Sequence, residues 1–328
     1  MFKYIVKRLI TSIFILLGVS VLLYVLLRCM PADFVETKIA NLSQTTGSVT
    51  QELIDNMKRA YGLDGTIMEG YFRWLGNVFK GDFGTSFISS RPVLSEIFSA
   101  DKIGTSFFVA AVATIFEFMI AIPLGVTAAT HQYSFRDYLV TVLVLVGISL
   151  PSFFFGRILQ NIFAYELRWF PAAGMTNAGV SYKGWDAIVD YLRHMFLPVL
   201  TVVILSIGGR MRVTRTNMLE VLNSDYIRTA RAKGLGERSV IYKHAFRNTM
   251  IPLVTGLAGL IPSLFSGAMI TESVFDLSGI GSYALNAMTQ ADIPVIMTYN
   301  MFLAALSVLG VLMADLMYAV VDPRVKLA

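Results

Sequence analysis

Glu117, Arg157 and Asp315 are the side chains best placed for chemistry, because each interrupts or ends an otherwise apolar stretch. A charge at mid-membrane depth costs about 2.5–3.5 kcal/mol on insertion scales, so it is kept where it is paired or lines a polar path. Glu117 is the deepest of the three. It is the one charge in the 28 residues from Ile103 to Thr130. Its carboxylate can line a path and meet an amino group, or it can be paired inside a subunit interface; both readings stand. Arg157 and Asp315 lie nearer the ends of their runs, where snorkelling and structural pairing are the ordinary roles.

Other chemistries lack their residues. His131, His194 and His244 fall in separate segments and Cys29 is the single cysteine, so neither a metal site nor an internal disulfide is expected. No Gly-x-x-x-x-Gly-Lys-Ser/Thr loop is present to cradle ATP, and no Gly-x-Ser-x-Gly elbow to present a nucleophile. Gly279-Ile280-Gly281-Ser282-Tyr283-Ala284 matches Gly-x-Gly-x-x-Ala, but it follows an apolar helix and not a strand, which argues against a dinucleotide. Asn41-Leu42-Ser43 is a sequon of a kind common by chance. No catalytic residue is expected.

The elements that must position these residues are helices in a bilayer. Charged residues are 15% of the 328, the AVILMFWYC set is 55%, and mean hydropathy is +0.64. This excludes a disordered chain, a disulfide scaffold and a soluble enzyme. Runs long enough to cross the hydrocarbon core begin at Leu9, Ile103, Tyr138, His194, Thr249 and Ile293. The fourth is short, so its helix is expected to continue past Arg210. The reading is an all-α membrane protein with six transmembrane helices. With both termini cytoplasmic, Lys and Arg are 15 of 64 inner residues against 11 of 124 outer ones, which selects that orientation. The net charge of +5 therefore marks the inner face, and no nucleic-acid partner is expected. Lys3, Lys7 and Arg8 before the first run resemble a signal peptide, but the run is too long and no small-residue cleavage site follows, so the first helix is read as uncleaved. The outer segment 31–101 is too long for a plain loop and carries amphipathic stretches at Gln51–Tyr61 and Tyr71–Phe79, expected as short helices. Pro123, Pro151, Pro198, Pro252, Pro262 and Pro294 can kink or end their helices.

The inner segment 210–248 holds nine of the 27 Lys and Arg. Within it, Ser224 and Asp225 are good helix starters, Tyr226 to Lys233 favours helix, and Gly234 can end it. A helix of about eight residues is marginal alone in water and needs a surface. Ala230 and Gly234 are small and four apart, permitting close backbone approach, and Arg228, Arg231 and Lys233 surround them with donors. Either the helix rests on anionic headgroups, or it is a knob inserted in a groove of a cytoplasmic protein.

The segment Asp225-Tyr226-Ile227-Arg228-Thr229-Ala230-Arg231-Ala232-Lys233-Gly234-Leu235 resembles the coupling-loop signature of ATP-binding cassette (ABC) importer permeases, in the form of the first membrane subunit of the oligopeptide/dipeptide permease family. Tyr61-Gly62-Leu63-Asp64, Gly81-Asp82-Phe83-Gly84-Thr85-Ser86, His244-Ala245-Phe246-Arg247-Asn248, Asp292-Ile293-Pro294-Val295 and Asp322-Pro323-Arg324-Val325 resemble further landmarks of that family in the same order. Ser278 stands where the family has Pro, which leaves the rigidity of that outer turn open. The resemblance implies an ABC transporter type-1 permease fold. Residues 1–101 would form a first helix plus extracellular segment, 102–321 the permease core and 322–328 a cytoplasmic tail. It implies a bacterial or archaeal cell membrane, a second related permease subunit, two ABC ATPase subunits that bind the ATP and Mg, and an extracellular substrate-binding protein, with no cofactor on this chain. The ATPases would grip Asp225, Tyr226, Arg228, Thr229, Ala230, Arg231, Ala232, Lys233 and Gly234, while Glu117, Arg157 and Asp315 are translocation-path candidates. The cargo would be di- or oligopeptides. Very similar permeases import nickel or metal chelates, glutathione or sugars, and a self-sufficient channel or secondary transporter is the other class.

Overall fold

The computed structural model describes residues 2–29, 35, 51–60, 63–255 and 259–321, and is helical with no strand among them. The tail 322–328 with its Asp-Pro-Arg-Val landmark, Tyr61-Gly62 and the sequon at Asn41 lie outside the described residues. The helices are α1 (Phe2–Arg28), α2 (Gln51–Ala60), α3 (Ile67–Phe79), α4 (Val93–Ile97), α5 (Ala100–Thr130), α6 (Phe135–Ser149), α7 (Ser152–Leu159), α8 (Trp185–Leu222), α9 (Asp225–Ala232), α10 (Phe246–Thr255), α11 (Leu260–Ser266), α12 (Met269–Val274), α13 (Ile280–Thr289) and α14 (Ile293–Val321). Two π-helical segments, Gln160–Glu166 and Val240–Ala245, extend α7 and precede α10.

Among the described residues four helices are long and apolar enough to cross a membrane: α1, α5, α8 and α14. At 38 residues α8 is about 57 Å long. This exceeds a hydrocarbon core of about 30 Å, so its Arg210–Leu222 portion extends the bundle into the basic region, as the short apolar run from His194 required. The runs expected to be the third and fifth crossings are divided into shorter helices. Pro151 breaks the third: Leu150 before it is extended, and Pro151 caps α7. The fifth falls on α10, α11 and α12, with a break between the last two at Gly267, whose φ of +70° is natural only to glycine. The two outer amphipathic stretches form helices α2 and α3, as their patterns require.

α5 and α8 form the centre of the bundle, with α6 against them. Their shared core contains Val109, Ala113, Met195, Leu197 and Val203, closed by Leu159 and Phe275. α1 and α14 run side by side, tied where Arg8 meets Asp315 at 2.8 Å. The bundle therefore has two ends. The basic end carries Arg8, Asp315, the C-terminus of α5 and the segment around α9. The cap end carries the start of α14, α13 and the chain from Leu63 to Ala100.

Candidate coupling and translocation sites

At the basic end α9 begins and stops where its residue types direct. Ser224 is extended at the N-cap, although its hydroxyl donates to the Val221 carbonyl and leaves the helix amides alone. Lys233 ends the helix and Gly234 turns the chain at φ +75°. Ile227 and Ala230, three apart, share one face and pack with Val126, Ala129, Met218, Val240 and Ala245. Fully burying an isoleucine is worth about 1.5–3 kcal/mol, which supplies the surface that so short a helix needs. Ala230 is 8% exposed and belongs to the chain's own core, because the face a lone amphipathic helix must bury includes it. The face left to solvent carries Tyr226, Arg228, Thr229, Ala232, Lys233 and Gly234 with Asp225. Arg231 is fixed sideways by Glu237 at 2.7 Å.

In the middle of the bundle Glu117 is 9% exposed and accepts from the Arg210 guanidinium at 2.9 Å. Arg210 also lies over the Phe118 ring, 4.5 Å from its centroid. The pair fronts a cavity of about 330 Å³ lined further by Ala113, Ser206, Ser263 and Ala268. The other two path candidates do not converge there. Arg157 is exposed and donates to Gln160 at 3.0 Å, whose buried amide in turn donates to the Ala172 and Val274 carbonyls. Asp315 serves the α1–α14 tie. Arg210 was missed as a site residue, although its place as the first charge after the His194–Gly209 run, on a helix that continues past it, was a usable signal.

At the cap end the dominant polar residue is Glu272, fully buried and directly after the Thr249–Thr271 run. Its carboxyl group accepts from Ser106 Oγ at 2.7 Å, the Ser282 amide at 2.8 Å and the Ala268 amide at 3.1 Å. Gly279 leaves room for it: a Cβ there would collide with the carboxyl group. The Gly-x-Gly-x-x-Ala stretch thus does receive an acidic group at a helix N-terminus, but the group is the chain's own. The turn with Ser278 in place of Pro is held instead by hydrogen bonds, from Leu277 N to Glu272 O and from Ser282 Oγ to Leu277 O. Asp292, also fully buried, accepts from Ser86 Oγ at 2.6 Å and so fastens residues 84–92 to the start of α14. Burial pushes the Tyr283 hydroxyl up to about 12, keeping it protonated. In α4, the hydrogen bond from Lys102 holds Glu96 below its ordinary range.

Among the described residues no cluster of His, Cys, Asp or Glu could hold a metal ion. A polytopic helical bundle with a paired charge beside an internal cavity and a self-docked basic helix at one end belongs to the class of membrane transport components. Residues 121–327 match the family model for the binding-protein-dependent transport system inner membrane component, and residues 1–114 match the N-terminal model of such membrane components. The chain is 37% identical to the oligopeptide transport system permease protein AppB of Bacillus subtilis, over 99% of this chain and 100% of the relative. It is 33% identical to the dipeptide transport system permease protein DppB of Alkalihalophilus pseudofirmus over 99% and 100%. Against the oligopeptide transport system permease protein OppB of Mycobacterium bovis it is 32% identical over the whole of both chains. The chain belongs to the binding-protein-dependent transport system inner membrane component family. It is a non-catalytic membrane subunit of an ABC importer, in a family with no cofactor of its own.

Proposed function

We propose that this chain is the permease subunit of an ATP-driven importer for di- or oligopeptides in a bacterial or archaeal cell membrane. The basic end faces the cytoplasm with both termini, and the divided third and fifth helices complete six crossings. Residues 1–101 form the first helix and outer segment, 102–321 the permease core and 322–328 the tail. A second related permease completes the path, two ABC ATPases bind ATP and Mg, and an extracellular binding protein delivers cargo to the cap end. The observation that carries the coupling assignment is α9, held to the bundle by Ile227 and Ala230 while Tyr226, Arg228, Thr229 and Lys233 face outward. An ATPase that grips this face moves the α8 and α5 ends to which α9 is fastened. Glu117 and Arg210 line the path by the cavity between α5, α8 and α11. Peptide cargo is supported by the full-length likeness to permeases named for oligopeptides and dipeptides.

The test is a mild-detergent pull-down of the tagged chain from its native membrane, with mass spectrometry of what accompanies it. Two P-loop ATPases and a second six-helix permease are expected. The chain running alone or as a homo-oligomer, in conditions that preserve known transporter complexes, overturns the importer assembly. Uptake of labelled di- and tripeptides by the same cells tests the cargo. Loss of nickel, glutathione or sugar uptake, and not of peptide uptake, on deletion of the chain overturns that part alone.

A further inference from the structure

Helix α3 has three faces where a surface helix needs two. At 100° per residue, Ile67, Tyr71, Trp74 and Val78 centre near 270°, and Glu69, Arg73, Asn77 and Lys80 near 135°, while Met68, Phe72 and Phe79 centre near 20° as rough angular positions. The first stripe packs on the protein. Tyr71 OH lies 2.9 Å from Ser20 Oγ, Tyr71 and Trp74 stack around Tyr24, and Gly70 approaches the Tyr24 hydroxyl so closely that no Cβ fits between them. The second stripe is polar and exposed. The third is apolar and bare: Met68 is 66% exposed, Phe72 62% and Phe79 79%.

The depth of α3 decides what covers that third stripe. Its partner α1 is the least buried of the four span-length helices among the described residues, with 11% of its most apolar window buried and Leu22 and Leu26 open, the kind of surface that lipid covers. Tyr24 lies three residues, roughly 5 Å, inside the end of the α1 apolar run at Leu27, and Ser20 lies roughly 10 Å inside it. Arg28, at the α1 end, donates to the Leu63 carbonyl at 2.9 Å and so fixes the chain just before α3 at the run's edge. α3 therefore descends beside α1 to the depth at which interfacial helices bury their apolar faces, about 5–10 Å into the headgroup and acyl boundary. Of its three faces, one meets protein and one is suited to water.

We propose that α3 is an interfacial helix whose Met68, Phe72 and Phe79 enter the bilayer leaflet at the cap end, continuing the lipid-covered surface of α1. The inference rests on the reading of α1 as a membrane span, and goes beyond it by giving the outer segment a lipid partner. The capping box at Thr66 and Glu69 starts the helix in the register that this requires.

The experiment uses the assembled transporter in lipid nanodiscs, in a Cys29→Ser background, with a bimane label at Phe72→Cys, Phe79→Cys, Arg73→Cys or Leu22→Cys. Brominated phosphatidylcholine reports lipid contact and aqueous iodide reports water. Labels at positions 72, 79 and 22 are expected to lose most of their fluorescence to brominated lipid and little to iodide, and the label at 73 the reverse. If 22 is quenched by lipid while 72 and 79 are quenched by iodide, or by neither reagent because a protein covers them, the interfacial role of α3 is overturned and the α1 span stands. If 22 also escapes lipid, the membrane placement of α1 falls with it.

Discussion

The two ends of the bundle hold their principal carboxyl groups differently. At the cap end, Glu272 and Asp292 are fully buried, and the groups that answer them are hydroxyls and backbone amides contributed by distant parts of the chain. At the basic end, carboxylates meet guanidinium groups: the buried Asp137 meets Arg215 at 2.9 Å, the exposed Glu237 meets Arg231, and the remaining cations of α9 face solvent. A carboxyl group held by several fixed donors locks its segments in one arrangement, because each donor left unpaired on moving costs about 1–3 kcal/mol. Exposed ion pairs are worth about 0–1 kcal/mol and exchange readily. The cap end is therefore built to stay assembled, while the exposed pair beside α9 leaves that part of the basic end freer to rearrange.

The sharpest way to break this contrast is at Glu272. Replacement by Ala strands Ser106 Oγ and the amides of Ala268 and Ser282 in a buried site, so Glu272→Ala is expected to destabilise the protein by about 3–5 kcal/mol. Thermal unfolding of the detergent-solubilised protein reads this as a large fall in Tm. An unchanged Tm would mean that the cap is not held by this residue. Gly279→Val should act in the same direction by forcing the carboxyl group out of its place.

Next in size is the central pair. Glu117→Gln or Arg210→Met each leaves a partner charge in a poorly solvated site, for an expected loss of about 2–3 kcal/mol, less than for a dry pair because both side chains keep some exposure. The double variant Glu117→Gln with Arg210→Met should recover part of that loss, and a double-mutant cycle with no coupling energy would show that the 2.9 Å contact carries no weight. Transport at the parental rate in the stable double variant would remove both residues from the path.

The difference between the two ends also explains what could be read in advance. The α9 boundaries, the continuation of α8 past Arg210 and the outer helices α2 and α3 follow from local rules, namely caps, breakers and period, and each was legible. The division of the third run at Pro151 was written in a single residue, yet hydropathy alone merged its two sides. The inward turn of Ala230 depended on which face of α9 finds Val126 and Val240, residues about 100 and 10 positions away, and no local signal fixes that. Glu272 was passed over for a related reason: one acidic residue at the end of an apolar run looks like a boundary, and only the fold brings Ser106 and the α13 N-terminus to it. Arg210 lay in view as a basic residue, but its pairing with Glu117 spans 93 positions.

A smaller effect is expected from pH at the cap end. Lys102, at 2.7 Å, lowers Glu96 from its ordinary value of 4.5, so the pair stabilises the fold fully above that value and loses its contribution as pH falls through the lower folded value. The loss is up to about 1 kcal/mol for so marginal a surface position. Tm measured between neutral pH and acid should fall less steeply in Glu96→Gln than in the parent, and parallel profiles would show that the pair contributes nothing.

The smallest effect on stability should come from the outward face of α9, and there the contrast between the ends becomes a functional one. Thr229 points to solvent and touches none of the core beneath α9, so Thr229→Trp is expected to shift stability by no more than about 0.5 kcal/mol. Ala230, one residue on, has no space for an indole, and Ala230→Trp should unseat α9 from Met218 and Val240 with a clear loss of Tm. Both variants should fail to retain the ATPases in a pull-down, but for different reasons: the first by blocking an intact knob, the second by dislodging it. Retention of the ATPases and normal peptide uptake in Thr229→Trp would place the grip elsewhere on the basic end. The π-helical segment around Tyr242 and Lys243, which borders the same surface, would then be the next place to substitute.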